Sequence, residues 1–169
     1  MEKNKKVKKL TFISICATVA ILLSYVEVLF PPIFAAVPGI KIGLPNIAVI
    51  FVLYRFGIRE AVAVSFVRIV IISMLFGNPM IFAYSVAGAF LSLVIMTLLK
   101  KFDFLSMVGV SVAGGVSHNL GQILMAMLLL DTAEIGYYMI VLTFTGILSG
   151  ALIGLCASYL LKFLPMNKI

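Results

Sequence analysis

Six long stretches of apolar residues divide the chain, and short polar or Pro/Gly-rich segments separate them. A helix needs roughly 20 apolar residues to cross the ~30 Å hydrocarbon layer of a membrane. The pattern therefore predicts an all-α integral membrane protein, a bundle of six transmembrane helices in one domain over residues 10–169. The predicted spans cover residues 10–30, 44–56, 58–76, 79–99, 104–130 and 135–164.

The second apolar stretch is shorter than the others, since a helix over residues 44–56 rises only about 20 Å. Four prolines, at positions 31, 32, 38 and 45, interrupt any helix before or at its start. Irregular backbone at membrane depth survives only where it is buried in protein or lines a cavity. We therefore predict that residues 31–43 form an outer lid loop over a site; an ordinary exposed loop is the alternative.

Composition and charge indicate the surroundings and the orientation. Of the 169 residues 63% are hydrophobic and only 11% are charged, with a mean hydropathy of +1.24, whereas about a quarter of a soluble domain is charged. The net charge of +7 is concentrated in a basic tail over residues 1–9 and in segments on the same side, while Lys41 stands alone on the other. Positive charge favours the cytoplasmic side, which predicts cytoplasmic termini, a multi-pass protein of the cytoplasmic membrane, and contact with lipid rather than nucleic acid.

Three ionisable residues, Glu27, Arg68 and His118, fall inside predicted spans. Such groups cost about 2.5–3.5 kcal/mol at mid-helix on insertion scales, so each is a candidate functional residue. By their distance along the helices, all three lie at or above the membrane midplane, which indicates a pocket open to the outside. Arg68 either pairs with Glu27 to fix helix packing or faces an anionic ligand, and both alternatives remain open at this stage.

The fifth span carries a polar stripe. Residues four apart share a helix face, so Gly114, His118 and Gln122 align, with Ser111, Gly115 and Asn119 beside them. Glycines in membrane helices usually serve close packing, but three large polar groups within five residues favour a ligand-binding face.

Small residues recur every four positions in the first span, at Cys16, Ala20 and Ser24. This spacing lets another helix approach closely. The stripe is interpreted either as internal packing or as a docking face for a partner membrane protein.

The sequence lacks the residues that several kinds of catalysis and metal binding require. The chain has no P-loop, its only aspartates are Asp103 and Asp131, and a single histidine cannot supply a catalytic or metal-binding set. Cys16 and Cys156 lie in apolar runs and are interpreted as buried small residues. We therefore expect no enzymatic activity, no metal and no cofactor.

Two segments carry a resemblance to a known family. Residues 38–46 read PGIKIGLPN and residues 118–122 read HNLGQ; together with Glu27 and Arg68 they resemble the Gx transporter family, also labelled heptaprenyl diphosphate synthase component I. That family looks like the S-components of energy-coupling factor transporters. These are six-helix proteins that capture a vitamin-like molecule from outside and associate with a shared transmembrane subunit and ATPases.

The resemblance implies an uptake function. The chain would bind a small anionic or amphipathic molecule, energised by a partner ATPase module, and its first helix would dock on the shared subunit. The alternative is a non-catalytic membrane subunit of an isoprenoid/quinone or flavin-linked electron-transfer complex. The implied pocket residues are Glu27, Lys41, Asn46, Arg68, His118, Asn119 and Gln122.

Overall fold

A computed structural model describes residues 2–29, 43–103 and 105–164, apart from the side chain of Glu2. Over these residues the chain is all-helical, with six α-helices and one 3₁₀ helix. The α-helices are α1 (Glu2–Leu29), α2 (Asn46–Arg55), α3 (Ile58–Phe76), α4 (Pro79–Phe102), α5 (Met107–Leu130) and α6 (Met139–Phe163). The 3₁₀ helix, Ala133–Tyr138, leads directly into α6. The predicted lid loop lies, except for Gly43, outside the described residues.

Four helical segments in the described part of the chain are long and apolar enough to cross a membrane: Lys3–Leu29, Pro79–Phe102, Met107–Leu130 and Ala133–Phe163. The chain is therefore a helical membrane protein. Helix α2 is apolar but short, and the 19 residues of α3 include Arg59, Glu60 and Arg68.

Helix α1 starts earlier than the apolar pattern indicates. It begins at Glu2, so the lysine-rich segment up to Lys9 is helical and continuous with the apolar part of α1. Lysine is a good helix former, so the change from polar to apolar residues does not interrupt the helix. At its 28 residues, α1 is about 42 Å long, which exceeds the hydrocarbon thickness by about two turns.

Local signals define the ends of α4 and α5. The side chain of Asn78 accepts a hydrogen bond from the backbone N–H of Ile81 at 2.9 Å, and Pro79 occupies the first turn of α4. Ser106 caps α5 in the same way through the N–H of Gly109, at 3.2 Å. Both are standard helix starts. They fix where α4 and α5 begin, and therefore which of their faces meet.

Helix α2 forms the centre of the core. Its residues from Ala48 to Leu53 are all buried, and α1, α3, α4, α5 and α6 contribute the apolar side chains around them. Phe12 of α1 stacks on Phe51, with ring centroids 6.0 Å apart. Because the other helices surround α2, its short length is compatible with a position inside the bundle, where it does not have to span the membrane by itself.

Glycines bring α4, α5 and α6 into backbone contact. A Cβ atom on Gly115 would lie 2.6 Å from the carbonyl oxygen of Gly146 in α6, and one on Gly121 would lie 2.6 Å from that of Ala87 in α4. Such distances leave no room for a side chain. These glycines therefore serve close helix packing, the role that small residues commonly have in membrane helices.

The basic end of the bundle, where α1 begins and α6 ends, is held by cationic side chains. Lys9 forms an ion pair and hydrogen bond with Glu60. Lys100 donates to the carbonyl oxygen of Leu53, in the last turn of α2, at 2.7 Å. Arg55 donates to the carbonyl oxygen of Leu164. Each of these cations joins two segments that are distant in sequence.

The small-residue stripe of α1 faces inward. Ala20 is fully buried, Ser24 is 3% exposed and Cys16 is 8% exposed. A docking face must be accessible to a partner, and these residues are covered by the chain's own helices. Of the two interpretations of the stripe, this burial favours internal packing. Cys156, by contrast, is exposed on the outside of α6, because a helix in lipid carries apolar residues on its outer face as well.

Candidate functional site: a polar cavity inside the bundle

A cavity of about 60 Å³ lies within the bundle, and all six α-helices contribute to its wall. It follows one face of α4 from Ile81 to Met96 and one face of α5 from Ser111 to Gln122. Fifteen residues of helix correspond to about 22 Å, so the cavity is elongated along the bundle.

The sequence-predicted site residues converge on this cavity. Of the seven residues predicted to bind a ligand, six line it, and the seventh, Lys41, lies outside the described residues. The six come from four different helices. They are Glu27 of α1, Asn46 of α2, Arg68 of α3, and His118, Asn119 and Gln122 of α5.

Glu27 is held by backbone groups. Its Oε1 accepts hydrogen bonds from the N–H groups of Gly43 and, at 2.8 Å, Leu44. These two residues directly precede α2, where the aligned peptide dipoles favour a negative charge. Gly43 adopts a φ of 86°, a left-handed conformation that glycine tolerates. The carboxylate therefore fixes the entry to α2, a structural use of a group that the sequence indicated only as a binding candidate.

Arg68 lines the same cavity as Glu27. Its guanidinium interacts electrostatically with Glu27. Its Nε is buried and has no hydrogen-bond partner among the residues that the structure describes. A buried donor without a partner costs about 1–3 kcal/mol, and more when it is charged. A structure retains such a group most readily where water or a ligand completes it.

The α5 stripe divides between two roles. Asn119 is buried and donates through Nδ2 to the carbonyl oxygen of Leu142 in α6, at 2.8 Å, so its amide nitrogen joins two helices. His118 and Gln122 instead face α4 at Gly88. A Cβ atom on Gly88 would lie 3.0 Å from His118 Nε2 and 2.8 Å from Gln122 Cγ. Gly88 therefore provides the space that these two side chains occupy.

Sequence reasoning missed two parts of the site. The first is Gly88, which does not stand out because it lies within an apolar run. The second is a set of hydroxyl groups, because serine is common in membrane helices and carries no charge to attract notice. The serines that line the cavity are Ser24, Ser73, Ser85, Ser92, Ser111 and Ser149. Of these, Ser111 was noted from the sequence as a neighbour of the polar stripe, and Ser24 as part of the small-residue stripe of the first span.

A second cavity, an apolar groove of about 430 Å³, lies between α3 and α4. Phe66 and Phe90, which are 58% and 69% exposed, stand on its two sides. Ile69 lines both the groove and the polar cavity, so one side chain belongs to both walls. The groove is suited to an apolar chain and the cavity to a polar group.

No three His, Cys, Asp or Glu side chains within the described ranges come together in a way that could hold a metal ion. The described residues bring to the cavity one guanidinium, one carboxylate, one imidazole, two kinds of amide and several hydroxyls. Such a set binds and orients a polar molecule by hydrogen bonds.

The fold and cavity define a helical membrane protein with a polar internal site. The family model described as heptaprenyl diphosphate synthase component I matches residues 16–160. This match covers most of the chain, which therefore belongs to that family, as the resemblance in the sequence indicated. No curated protein and no solved structure matched the chain.

Proposed function

We propose that this chain is a membrane-embedded substrate-binding subunit for uptake of a small polar anion. The convergence of six separately predicted residues on one internal cavity carries this proposal. Arg68 meets the negative charge of the ligand, and His118 and Gln122 orient the ligand by hydrogen bonds. A charge-assisted hydrogen bond in a dry site is stronger than a neutral one, so Arg68 makes the largest contribution to binding.

The proposal includes an orientation and an energy source. With the basic end in the cytoplasm, α1 to α6 form six passes, both termini are cytoplasmic, and Glu27 and Gly43 lie toward the outside. The positive-inside rule supports this orientation. The chain itself is not an enzyme in this proposal and needs no cofactor. Transport energy comes from a partner module with ATPases, which docks on a surface other than the buried α1 stripe.

Native mass spectrometry of the protein, gently extracted from its own membranes, tests the binding function. We expect a discrete small-molecule adduct on the wild type, retained in Arg59→Ala and lost in Arg68→Ala. Arg59 is a matched control because it is an exposed arginine on the same helix. An apo mass in all three proteins would contradict the proposal.

A second candidate function is a non-catalytic membrane subunit of an isoprenoid/quinone or flavin-linked complex. The description of the matching family favours the isoprenoid form, and the apolar groove between α3 and α4 could accommodate an apolar chain. This function predicts stable co-purification with an enzyme subunit whether or not Arg68 is present. Loss of the complex in Arg68→Ala, together with loss of a small-molecule adduct, would argue against it.

A further inference from the structure

The polar cavity has a charge balance that restricts its ligand. Among the described lining residues, the charged side chains are Glu27 and Arg68, and His118 adds an imidazole. Backbone N–H groups of Gly43 and Leu44 already stabilise the Glu27 carboxylate. The guanidinium of Arg68, whose Nε has no partner within the described residues, provides one positive charge for a ligand.

Two hydroxyl groups, on α4 and α5, line the cavity. The two serines, Ser92 of α4 and Ser111 of α5, are 5% and 4% exposed. Ser111 lies seven residues before His118, about 10 Å nearer the basic end. A hydroxyl that lines a buried cavity needs a hydrogen-bonding partner there, so these two are suited to the hydrogen-bonding groups of a bound molecule.

The size of the cavity sets a further limit. A buried water needs roughly 10–15 Å³ of such space, so the 60 Å³ cavity accommodates about four to six waters. An organic acid of three or four carbons fits this space, whereas a prenyl chain does not. A diphosphate carries at least two negative charges, and the described lining residues include one arginine.

We infer that the cavity selects a small hydroxylated monoanion, whose single carboxylate is bound by Arg68 and whose hydroxyl or carbonyl groups are bound by Ser92 and Ser111. This inference rests on the proposed function and gives its ligand a chemical class. It also assigns any apolar chain to the α3–α4 groove rather than to the cavity.

A panel of four probes tests the class on the purified protein in lipid nanodiscs. The probes are glycerate (hydroxylated monoanion), butyrate (monoanion without hydroxyls), glycerol (hydroxyls without charge) and inorganic diphosphate. Saturable binding is measured by the concentration dependence of the melting temperature. We expect glycerate to bind at least about tenfold more tightly than each of the others, since it alone satisfies the arginine and the hydroxyls together.

Substitutions test the contributions of the serine hydroxyls and of the arginine separately. Ser92→Ala and Ser111→Ala are each expected to weaken glycerate about two- to tenfold and to leave butyrate unchanged. Ser65→Ala is the matched control, because Ser65 is a buried serine of α3 that lines the groove instead of the polar cavity. Arg68→Lys keeps the positive charge and serves as a second variant if Arg68→Ala does not fold. It is expected to retain part of the glycerate affinity.

Three results would overturn the inference. They are diphosphate binding as tightly as glycerate, equal binding of butyrate and glycerate, or binding of none of the probes. The proposed binding function is tested separately, by whether native mass spectrometry detects an adduct that depends on Arg68. An Arg68-dependent adduct combined with any of these three results would leave a binding subunit whose ligand belongs to another class.

Discussion

The basic end and the polar cavity use cationic side chains in different ways. At the basic end, Lys9 meets the carboxylate of Glu60, while Lys100 and Arg55 meet backbone carbonyl oxygens. In the cavity, Arg68 lies near one carboxylate, Glu27, but backbone N–H groups already bind an oxygen of that carboxylate. The Nε of Arg68 is left without a hydrogen-bond partner in the described part of the chain.

This difference distinguishes a structural charge from a functional one. A cation that joins two helices is satisfied by the fold, and its removal affects mainly stability. A cation that the fold leaves incomplete depends on water or a ligand, and its removal affects mainly binding. The two regions should therefore respond differently to equivalent substitutions.

The largest expected effect is that of Arg68→Ala on ligand binding. Truncating one partner of a buried charge-assisted contact costs about 2–5 kcal/mol, a loss of affinity of roughly 30-fold or more. Isothermal titration with the extracted ligand or with glycerate measures it. Arg59→Ala should bind as the wild type does, and equal losses in both variants would remove the distinction between the regions.

Gly88→Ala is expected to have the next largest effect. The added methyl group would press on His118 and Gln122, and overpacking of this kind costs about 1–3 kcal/mol. Because both neighbours line the cavity, affinity should fall together with stability, measured by titration and thermal unfolding.

Gly109→Ala is the control for that substitution. Its methyl group would meet Leu105 at an ordinary distance of 3.5 Å, and alanine favours a helix over glycine by up to about 1 kcal/mol. We expect an unchanged or higher melting temperature and unchanged binding.

Unaffected binding in Gly88→Ala would show that His118 and Gln122 do not contact the ligand.

Glu27→Gln separates structural support from ligand contact. The amide oxygen accepts the hydrogen bonds of Gly43 and Leu44 more weakly than a carboxylate does, so we expect a loss of stability of about 1–2 kcal/mol. Anion affinity should stay the same or rise, because a negative charge near Arg68 has been removed. Glu134→Gln, an exposed position, should change neither quantity. A clear fall in affinity would instead assign Glu27 to the ligand.

The smallest expected effect is that of Lys100→Ala at the basic end. It removes the hydrogen bond to the Leu53 carbonyl and a cation–π contact with Tyr54, 4.8 Å from the ring centroid. We expect about 0.5–1.5 kcal/mol of lost stability and unchanged binding. The exposed neighbour Lys101 is the control. Weakened binding in Lys100→Ala would connect the basic end to the cavity.

Much of the fold and part of the site could be predicted from the sequence. Apolar run length and Pro/Gly breaks indicated the helices, because hydrocarbon thickness imposes a length. Ionisable and amide groups in apolar runs indicated Arg68, His118 and Gln122, because such groups are too costly in lipid to be accidental.

The remainder depended on which helix face points inward. Hydropathy does not distinguish a face in contact with lipid from a face in contact with protein, since both are apolar. For that reason Cys16 and Cys156, which look alike in sequence, differ in exposure. For the same reason, the sequence left packing and docking both open for Ala20, which is buried in the structure. The backbone partners of Glu27 and the space beside Gly88 depend on contacts between residues distant in sequence, which a local sequence pattern does not indicate.

The most direct test of the central claim is an experimental structure of the protein purified from its own membranes without added ligand. The account predicts non-protein density within about 2.7–3.2 Å of the Arg68 guanidinium, extending toward Ser92 and Ser111. A guanidinium fully hydrogen-bonded by protein groups, in a cavity that holds only water, would contradict it.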